Sequence, residues 1–181
     1  NFSSSSSVLE LCCGNGVIIG ELAKTANKAT GVDYSEILLN QLKTAYKREN
    51  LTTYCDDVKS INLPKNFYHQ IIIYFSIQHF SEKDTLLLIE KCISLLKQKG
   101  TLLIGDIPDQ DIKWDYINKD EYRVDYFNRV KHNQPKIGNW FKKDFFKAMN
   151  SYFKEVNFEV LSQPSYQINS DHCFDVIITK K

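Results

Sequence analysis

The run Val8-Leu9-Glu10-Leu11-Cys12-Cys13-Gly14-Asn15-Gly16 constrains this chain more than any other stretch. A short apolar segment of this kind reads as a buried strand, and here it runs into a carboxylate, two thiols and a glycine-spaced turn before a helical pattern opens at Val17. Gly14 and Gly16 remove side chains where the backbone must turn sharply and approach a ligand, while the free N–H groups of the next helix face that ligand. A strand, a glycine turn and a helix in this order define a cofactor loop of an α/β protein.

With 181 residues, 43% of them hydrophobic, the chain is long enough for one well-buried domain and too short for two ordinary ones. Residues 1–181 therefore read as a single domain. Residues 1–7 form its flexible lead-in, because Ser3 to Ser7 are a polar low-complexity stretch that cannot bury itself. Twenty-three basic and 22 acidic residues leave a formal net charge of +1, which offers no general field for a polyphosphate backbone. Nucleic acid is not an expected partner. The five cysteines are odd in number and lack CxxC or Cys/His ligand spacing, so neither a disulfide framework nor a metal site is expected. Reduced thiols fit a cytoplasmic protein. No apolar run reaches the roughly 18 residues of a membrane span and no signal peptide opens the chain, so no membrane partner is expected either.

Short β-branched runs alternate with helical patterns, the signature of βαβ units and a parallel sheet. Strands are predicted at Val8 to Cys12, Ala29 to Val32, Thr52 to Cys55, Gln70 to Phe75 and Gly100 to Asp106. Helices are predicted at Val17 to Thr25, at Ser35 to Arg48 with Ser35 as N-cap, and at Glu82 to Lys97 with Ser81 as N-cap and Gly100 as the stop. Residues 108–139 break this alternation with charge and aromatics and contain a predicted helix from Glu121 to Lys131. They read as an insertion on the substrate side. A helix from Trp140 to Tyr152 and strands at Glu155 to Ser162 and Cys173 to Lys180 close the chain, the last two able to pair antiparallel.

The run from Val8 to Gly16 resembles motif I of the class I S-adenosylmethionine-dependent methyltransferases: an apolar strand, Asp or Glu, then GxGxG, with Cys12 standing at the first glycine. Gly31-Val32-Asp33-Tyr34-Ser35 resembles their motif II. The resemblance implies a Rossmann-like methyltransferase fold of class α/β. Its sheet is seven-stranded and mostly parallel, in the order 3-2-1-4-5-7-6 with the last strand antiparallel, flanked by helices and carrying an insertion after strand 5. It also implies S-adenosyl-L-methionine as cofactor. The chain begins at Asn1, and helices that precede motif I in the family are expected to be missing.

Several residues then acquire expected roles. Asp33 ends the second strand, where a carboxylate can accept both ribose hydroxyl hydrogens, as it does in dinucleotide folds; Tyr34 stands beside it in motif II. The resemblance sets Asp57 and Val58 on the adenine, with Asp56 as the neighbouring candidate; a solvated turn carboxylate is the alternative for both aspartates. Glu10 cannot be buried alone without cost. In the family its counterpart supports the loop and reaches the cofactor's amino group; a carboxylate bonded only to N–H groups of the glycine turn is the alternative. Cys12 and Cys13 are expected to pack, with the Cys12 carbonyl near the methionine portion. Tyr74 or Phe75 can set an electron-rich ring near a sulfonium, although core packing explains both, Phe75 especially.

Methyl transfer from a sulfonium demands proximity, alignment and a free lone pair on the acceptor. For a hydroxyl acceptor a base is useful, and Asp106 at the end of the fifth strand is the first candidate, with capping of the Ile107-Pro108 turn as its alternative role; His79, after the fourth strand, and His132 come behind it. In the insertion, Trp114, Tyr116, Tyr122, Tyr126 and Phe127 supply flat faces, and Lys113, Arg123, Arg129 and Lys131 supply cations for a carboxylate, phosphate or uronic acid. The fourth strand lacks the Asn/Asp-Pro-Pro-aromatic string of DNA adenine methyltransferases and the Asp that begins the metal site of catechol-type enzymes. The expected acceptor is a hydroxyl of a small molecule or saccharide. Two alternatives stay open: a non-catalytic cofactor-binding module that needs a partner or a missing N-terminal segment, and a nicotinamide-dependent oxidoreductase using the same glycine turn.

Overall fold

A computed structural model describes residues 6–134 and 137–181. Its strands are β1 (Ser7–Leu11), β2 (Lys28–Asp33), β3 (Leu51–Cys55), β4 (Tyr68–Tyr74), β5 (Leu96–Pro108), β6 (Val156–Ser162) and β7 (Cys173–Lys180). Its helices are α1 (Val17–Leu22), α2 (Glu36–Ala45), α3 (Glu82–Leu95), α4 (Lys113–Tyr116), α5 (Asp120–Lys131) and α6 (Lys143–Tyr152). The strands form one seven-stranded sheet in the order β3-β2-β1-β4-β5-β7-β6. β1 to β5 run parallel, and β7 runs antiparallel to both β5 and β6. The strand order implied by the motifs is the observed one.

Both faces of the sheet are covered, which is why the central strands read as continuous apolar runs. Leu9 and Leu11 join Ile71, Ile73 and Ile104 against Leu88 and Ile89 of α3 and Phe146 and Met149 of α6. Val8 faces the other way, toward Ile19 of α1 and Leu39 and Leu42 of α2. Each such aliphatic side chain removed from water stabilises the fold by roughly 1.5–3 kcal/mol. The predicted caps are made: the Ser35 hydroxyl accepts from the Leu38 N–H, and the Ser81 hydroxyl from the Asp84 N–H.

Three expectations give way to tertiary contacts. The lead-in does not extend to residue 7, because Ser6 and Ser7 are buried and Ser7 opens β1. The Ser7 hydroxyl donates to the Phe67 carbonyl at 2.6 Å and its N–H to His69 Nδ1 at 3.0 Å, so these polar groups enter the interior satisfied. The remainder of the expected lead-in, residues 1–5, lies outside the described residues. Gly100 does not stop α3 but lies inside β5. The helix ends at Leu95, where other segments take the carbonyls another turn would have used: the Lys180 ammonium donates to Ile93 and Leu96, each at 2.8 Å, the Asn66 N–H to Ser94 at 3.0 Å and the Phe67 N–H to Leu95 at 2.9 Å. Lastly, α6 starts at Lys143 rather than Trp140. Phe141 donates its N–H to the Pro108 carbonyl and accepts from the Gln110 N–H, both at 2.9 Å, which holds residues 140 and 141 extended.

Gly16 caps α1 in the left-handed region, with φ of 80°. A Cβ there would lie 2.1 Å from Leu42 Cδ1. Gly16→Ala is therefore expected to lower stability by about 2–4 kcal/mol in urea denaturation, combining left-handed backbone cost with overpacking. Adding Leu42→Ala should relieve the steric part and leave the backbone part; a single variant as stable as the wild type would refute this account.

Candidate active site

The carboxyl ends of β1, β4 and β5 lie side by side in the sheet. Non-glycine residues with left-handed backbone collect there: Cys12 directly after β1 at φ 60°, Phe75 directly after β4 at 49°, and Asp106 at 61° near the end of β5, which runs on to Pro108 past a register shift between Ile104 and Ile107. Such residues cost of order 1–3 kcal/mol each and collect at ligand sites. Cys12, where the resemblance expects glycine, thus keeps the glycine conformation without being glycine.

Asp33 organises the loop. Its Oδ2 accepts from the Gly14 N–H and its Oδ1 from the Ser35 N–H, both at 2.8 Å. An ionised carboxylate has about four acceptor positions, so two remain for hydroxyl donors. The turn is tied further by Cys13 N–H to the Val32 carbonyl at 3.0 Å and Gly16 N–H to the Cys13 carbonyl at 2.9 Å. On the outer side of Gly14 the space is open, since a Cβ there would meet only Leu38 Cδ1 at 3.9 Å. An adenosyl ligand fits this arrangement: a backbone edge free of side chains beside a carboxylate with spare lone pairs.

Glu10 does something other than bond to the glycine turn. Its Oε2 accepts from the Ile19 N–H of α1 at 2.8 Å, tying strand to helix behind the loop. Burial pushes its carboxyl up to about 8; the Ile19 hydrogen bond opposes this and the Asp33 charge adds to it. Burial also pushes the Cys12 thiol up to about 12, and raises the Cys13 thiol. Thiols so raised are not thiolate nucleophiles. They pack instead, Cys12 against the main core and Cys13 against the α1–α2 side.

The remaining expected residues ring the same strand ends. Tyr34 is exposed directly after Asp33. Asp57 is exposed after β3, its Oδ1 accepting from the Lys59 N–H at 2.8 Å, while Val58 is buried in the core. Tyr74 is half-buried across from Gly105, whose missing side chain makes room for its ring. Phe75, for which core packing was expected, is instead 55% exposed, because its left-handed backbone turns it out of the strand. His79 is exposed on the turn after β4. Asp106 is buried, and both its oxygens accept amide hydrogens: Oδ1 from Gln163 and Oδ2 from Asn169, each at 2.8 Å. Those amides belong to the segment between β6 and β7, which Asp106 thereby holds against β5. Gln163 also donates to Asp175 at 2.7 Å.

Residues 108–139 carry two helices where one was expected, α4 having gone unread. No residue of α5 is buried. Under it lie two cavities, of about 280 and 320 Å³, that share Tyr126, Gly138 and Trp140 as walls. Behind Tyr116, a wall of the first, the His172 ring stacks at 4.0 Å and its Nδ1 lies 2.6 Å from Asp171 Oδ1. Gln163, Asn169 and His172 escaped the sequence reading, since isolated polar residues in a loop carry no periodic or spacing signal.

A family model described as a methyltransferase domain matches residues 8–100. The chain belongs to this family. The methyltransferase domain also overlays on an S-adenosylmethionine-dependent methyltransferase from Methanosarcina mazei with a TM-score of 0.72 at 15% identity, covering 99% of this chain and 94% of that one. The N-methyltransferase NodS from Bradyrhizobium japonicum, solved with S-adenosyl-l-homocysteine, gives 0.68 at 12% identity over 97% of this chain and 79% of that one. Among curated proteins, the ubiquinone biosynthesis O-methyltransferase of Coxiella burnetii is 28% identical over 102 residues, 55% of this chain and 43% of the relative. The chain spans less than half the length of that relative. The family, the fold and the S-adenosylmethionine cofactor read from motifs I and II are those of the methyltransferase domain.

Because the Glu10 carboxyl is raised in the folded state, its contribution to stability is full below about pH 4.5 and is lost as pH rises through about 8. The unliganded domain should lose ~1.4 kcal/mol per pH unit within that window. Glu10→Gln, which keeps an acceptor for the Ile19 N–H, should flatten the profile; urea denaturation from pH 5 to 9 checks this, and identical slopes for both proteins would count against it.

Proposed function

We propose that this protein, acting as a single domain, transfers a methyl group from S-adenosylmethionine to a hydroxyl of a small polar acceptor, a saccharide or comparable small molecule. The observation that carries the reading is the Asp33 carboxylate, fastened to the Gly14 N–H with lone pairs to spare at the mouth of an open glycine loop. When bound, the cofactor would supply an electrophilic methyl group on a sulfonium, with S-adenosylhomocysteine as the leaving group. Asp33 accepts from the ribose hydroxyls, with Tyr34 alongside. Asp57 and the Val58 backbone take the adenine edge, and the Cys12 carbonyl and the loop from Gly14 to Gly16 lie along the amino-acid portion. An ammonium ion brought near Glu10 favours the ionised carboxylate that burial alone disfavours. Tyr74 offers its ring face to positive charge.

Of the two candidate bases at the strand ends, His79 is the accessible one, so proton removal from the acceptor is assigned to it. Asp106, its oxygens engaged by two amides, sets the position of the β6–β7 segment. Oxygen as acceptor atom draws support from the O-methyltransferase relative, and a small molecule from the balanced surface charge and the modest cavities beneath α5. Among the described residues no helix is long and apolar enough to cross a membrane, which agrees with a cytoplasmic enzyme.

Calorimetry with S-adenosylhomocysteine tests this directly. The wild type should bind in the micromolar range, Asp33→Ala should weaken binding at least tenfold, and His79→Ala should leave binding intact while lowering kcat by about 10²-fold or more. A folded wild-type sample that releases no heat would defeat the proposal.

A further inference from the structure

We infer that the acceptor is an anion, seated through a carboxylate on Lys113. The inference deepens the proposed methyl transfer and rests on it for the word acceptor, though not for the binding site itself.

Lys113 opens α4 and is only 9% exposed. Its ammonium donates to Tyr126 Oη at 2.6 Å and lies 4.5 Å from the ring centre of Tyr126, 5.3 Å from that of Trp114 and 5.8 Å from that of Trp140. Among the described residues no carboxylate lies within ion-pair distance of it. Ring faces attract a cation, yet a buried ammonium with a single oxygen partner is short of acceptors, and buried charges are ordinarily paired. The larger cavity, about 320 Å³, borders this ammonium between Tyr126 and Trp140. Since the Tyr126 oxygen already accepts from Lys113, its own hydrogen is left to donate into the cavity. Two converging donors beside an empty space of that size form an anion seat.

Charge decides which anion. Arg129, on the wall of the neighbouring cavity, is neutralised by Asp125 at 2.8 Å. Among the described residues that line the two cavities, Lys113 is the one positive charge without an acidic partner, which a carboxylate matches and a phosphate monoester, with about −1.5 to −2 charge, exceeds. The aromatic walls Tyr126 and Trp140 suit a flat body attached to that carboxylate. Position fits the chemistry. The Asn139 N–H donates to the Gln78 carbonyl at 2.8 Å and its side-chain amide to the Phe80 carbonyl at 2.8 Å. Gly138 packs so closely that a Cβ there would lie 2.5 Å from the Gln78 oxygen. The cavity wall is thus fastened to the turn that carries His79, next to the strand end bearing Tyr74 and Phe75.

The test uses 2-naphthoate and its neutral isostere 2-naphthamide as probes in calorimetric titrations, with and without saturating S-adenosylhomocysteine. Wild-type protein should bind the acid at least tenfold more tightly than the amide. Lys113→Met should erase that preference, Lys113→Arg should restore most of it, and Tyr126→Phe, which keeps the ring, should weaken the acid several-fold while sparing the amide. Thermal melts establish that each variant is folded, and if Lys113→Met is not, Tyr126→Phe carries the comparison. Equal binding of the two probes, binding of neither, or a preference that survives Lys113→Met would overturn the inference. Failure of S-adenosylhomocysteine itself to bind would strike the methyl-transfer reading instead, and the titrations without it would still report on Lys113.

Discussion

The Asp33 carboxylate, shared between the N–H groups of Gly14 and Ser35, is the contact on which the rest of the site depends. A glycine turn has no side chains with which to fix itself, and its backbone donors need an acceptor from elsewhere. Parallel pairing of β1 with β2 brings Leu11 opposite Val32, so the residue that ends β2 arrives beside the turn that ends β1. A carboxylate this deeply buried is tolerable because charge-assisted hydrogen bonds meet it on both oxygens. Glu10 works behind it, joining β1 to α1 through the Ile19 N–H. Two acids with three backbone N–H partners, Gly14, Ser35 and Ile19, hold strand, turn and helix in one geometry.

That rigid half contrasts with the segment between β5 and α6. β1 is wholly buried between two hydrophobic layers, whereas α5 buries none of its residues and bridges cavities with Tyr122, Tyr126 and Arg129. Under the proposed function the difference is a division of labour, with the cofactor loop built into the core and the acceptor surface laid over one edge of the sheet. The left-handed residues Cys12, Phe75 and Asp106 mark the seam between the two.

How much of this was readable from the chain depends on the range of the interaction. The strand and glycine turn at Val8 to Gly16, the Ser35 and Ser81 caps and the closing hairpin follow from local periodicity and from hydrogen bonds between near neighbours, and they stand where the pattern placed them, whereas the helix predicted to run from Val17 to Thr25 ends at Leu22. The Gly100 stop failed because α3 is ended by distant segments, the Lys180 ammonium taking the Ile93 carbonyl and the Asn66 and Phe67 N–H groups those of Ser94 and Leu95. The start of α6 moved for a like reason, the pairing of Phe141 with the end of β5. That Asp33 and Gly14 stand side by side at neighbouring strand ends was legible in their motifs, while the partners of Asp106, Gln163 and Asn169, could not be told from any other loop amides.

By itself, then, the amino-acid order determined the α/β class and the strand-turn-helix at Gly14, since alternating periodicities and a glycine turn allow few chain paths, while the strand order followed only from the resemblance of motifs I and II to a known family. The tertiary structure alone decided what each charged group does. It buried Lys113 among aromatic rings, turned Asp106 toward two amides and set Glu10 against Ile19, because burial and the nearness of partners arise only when distant segments are packed together. A lysine or aspartate reads the same in sequence whether water or an aromatic wall surrounds it, and its chemistry is settled by that surrounding.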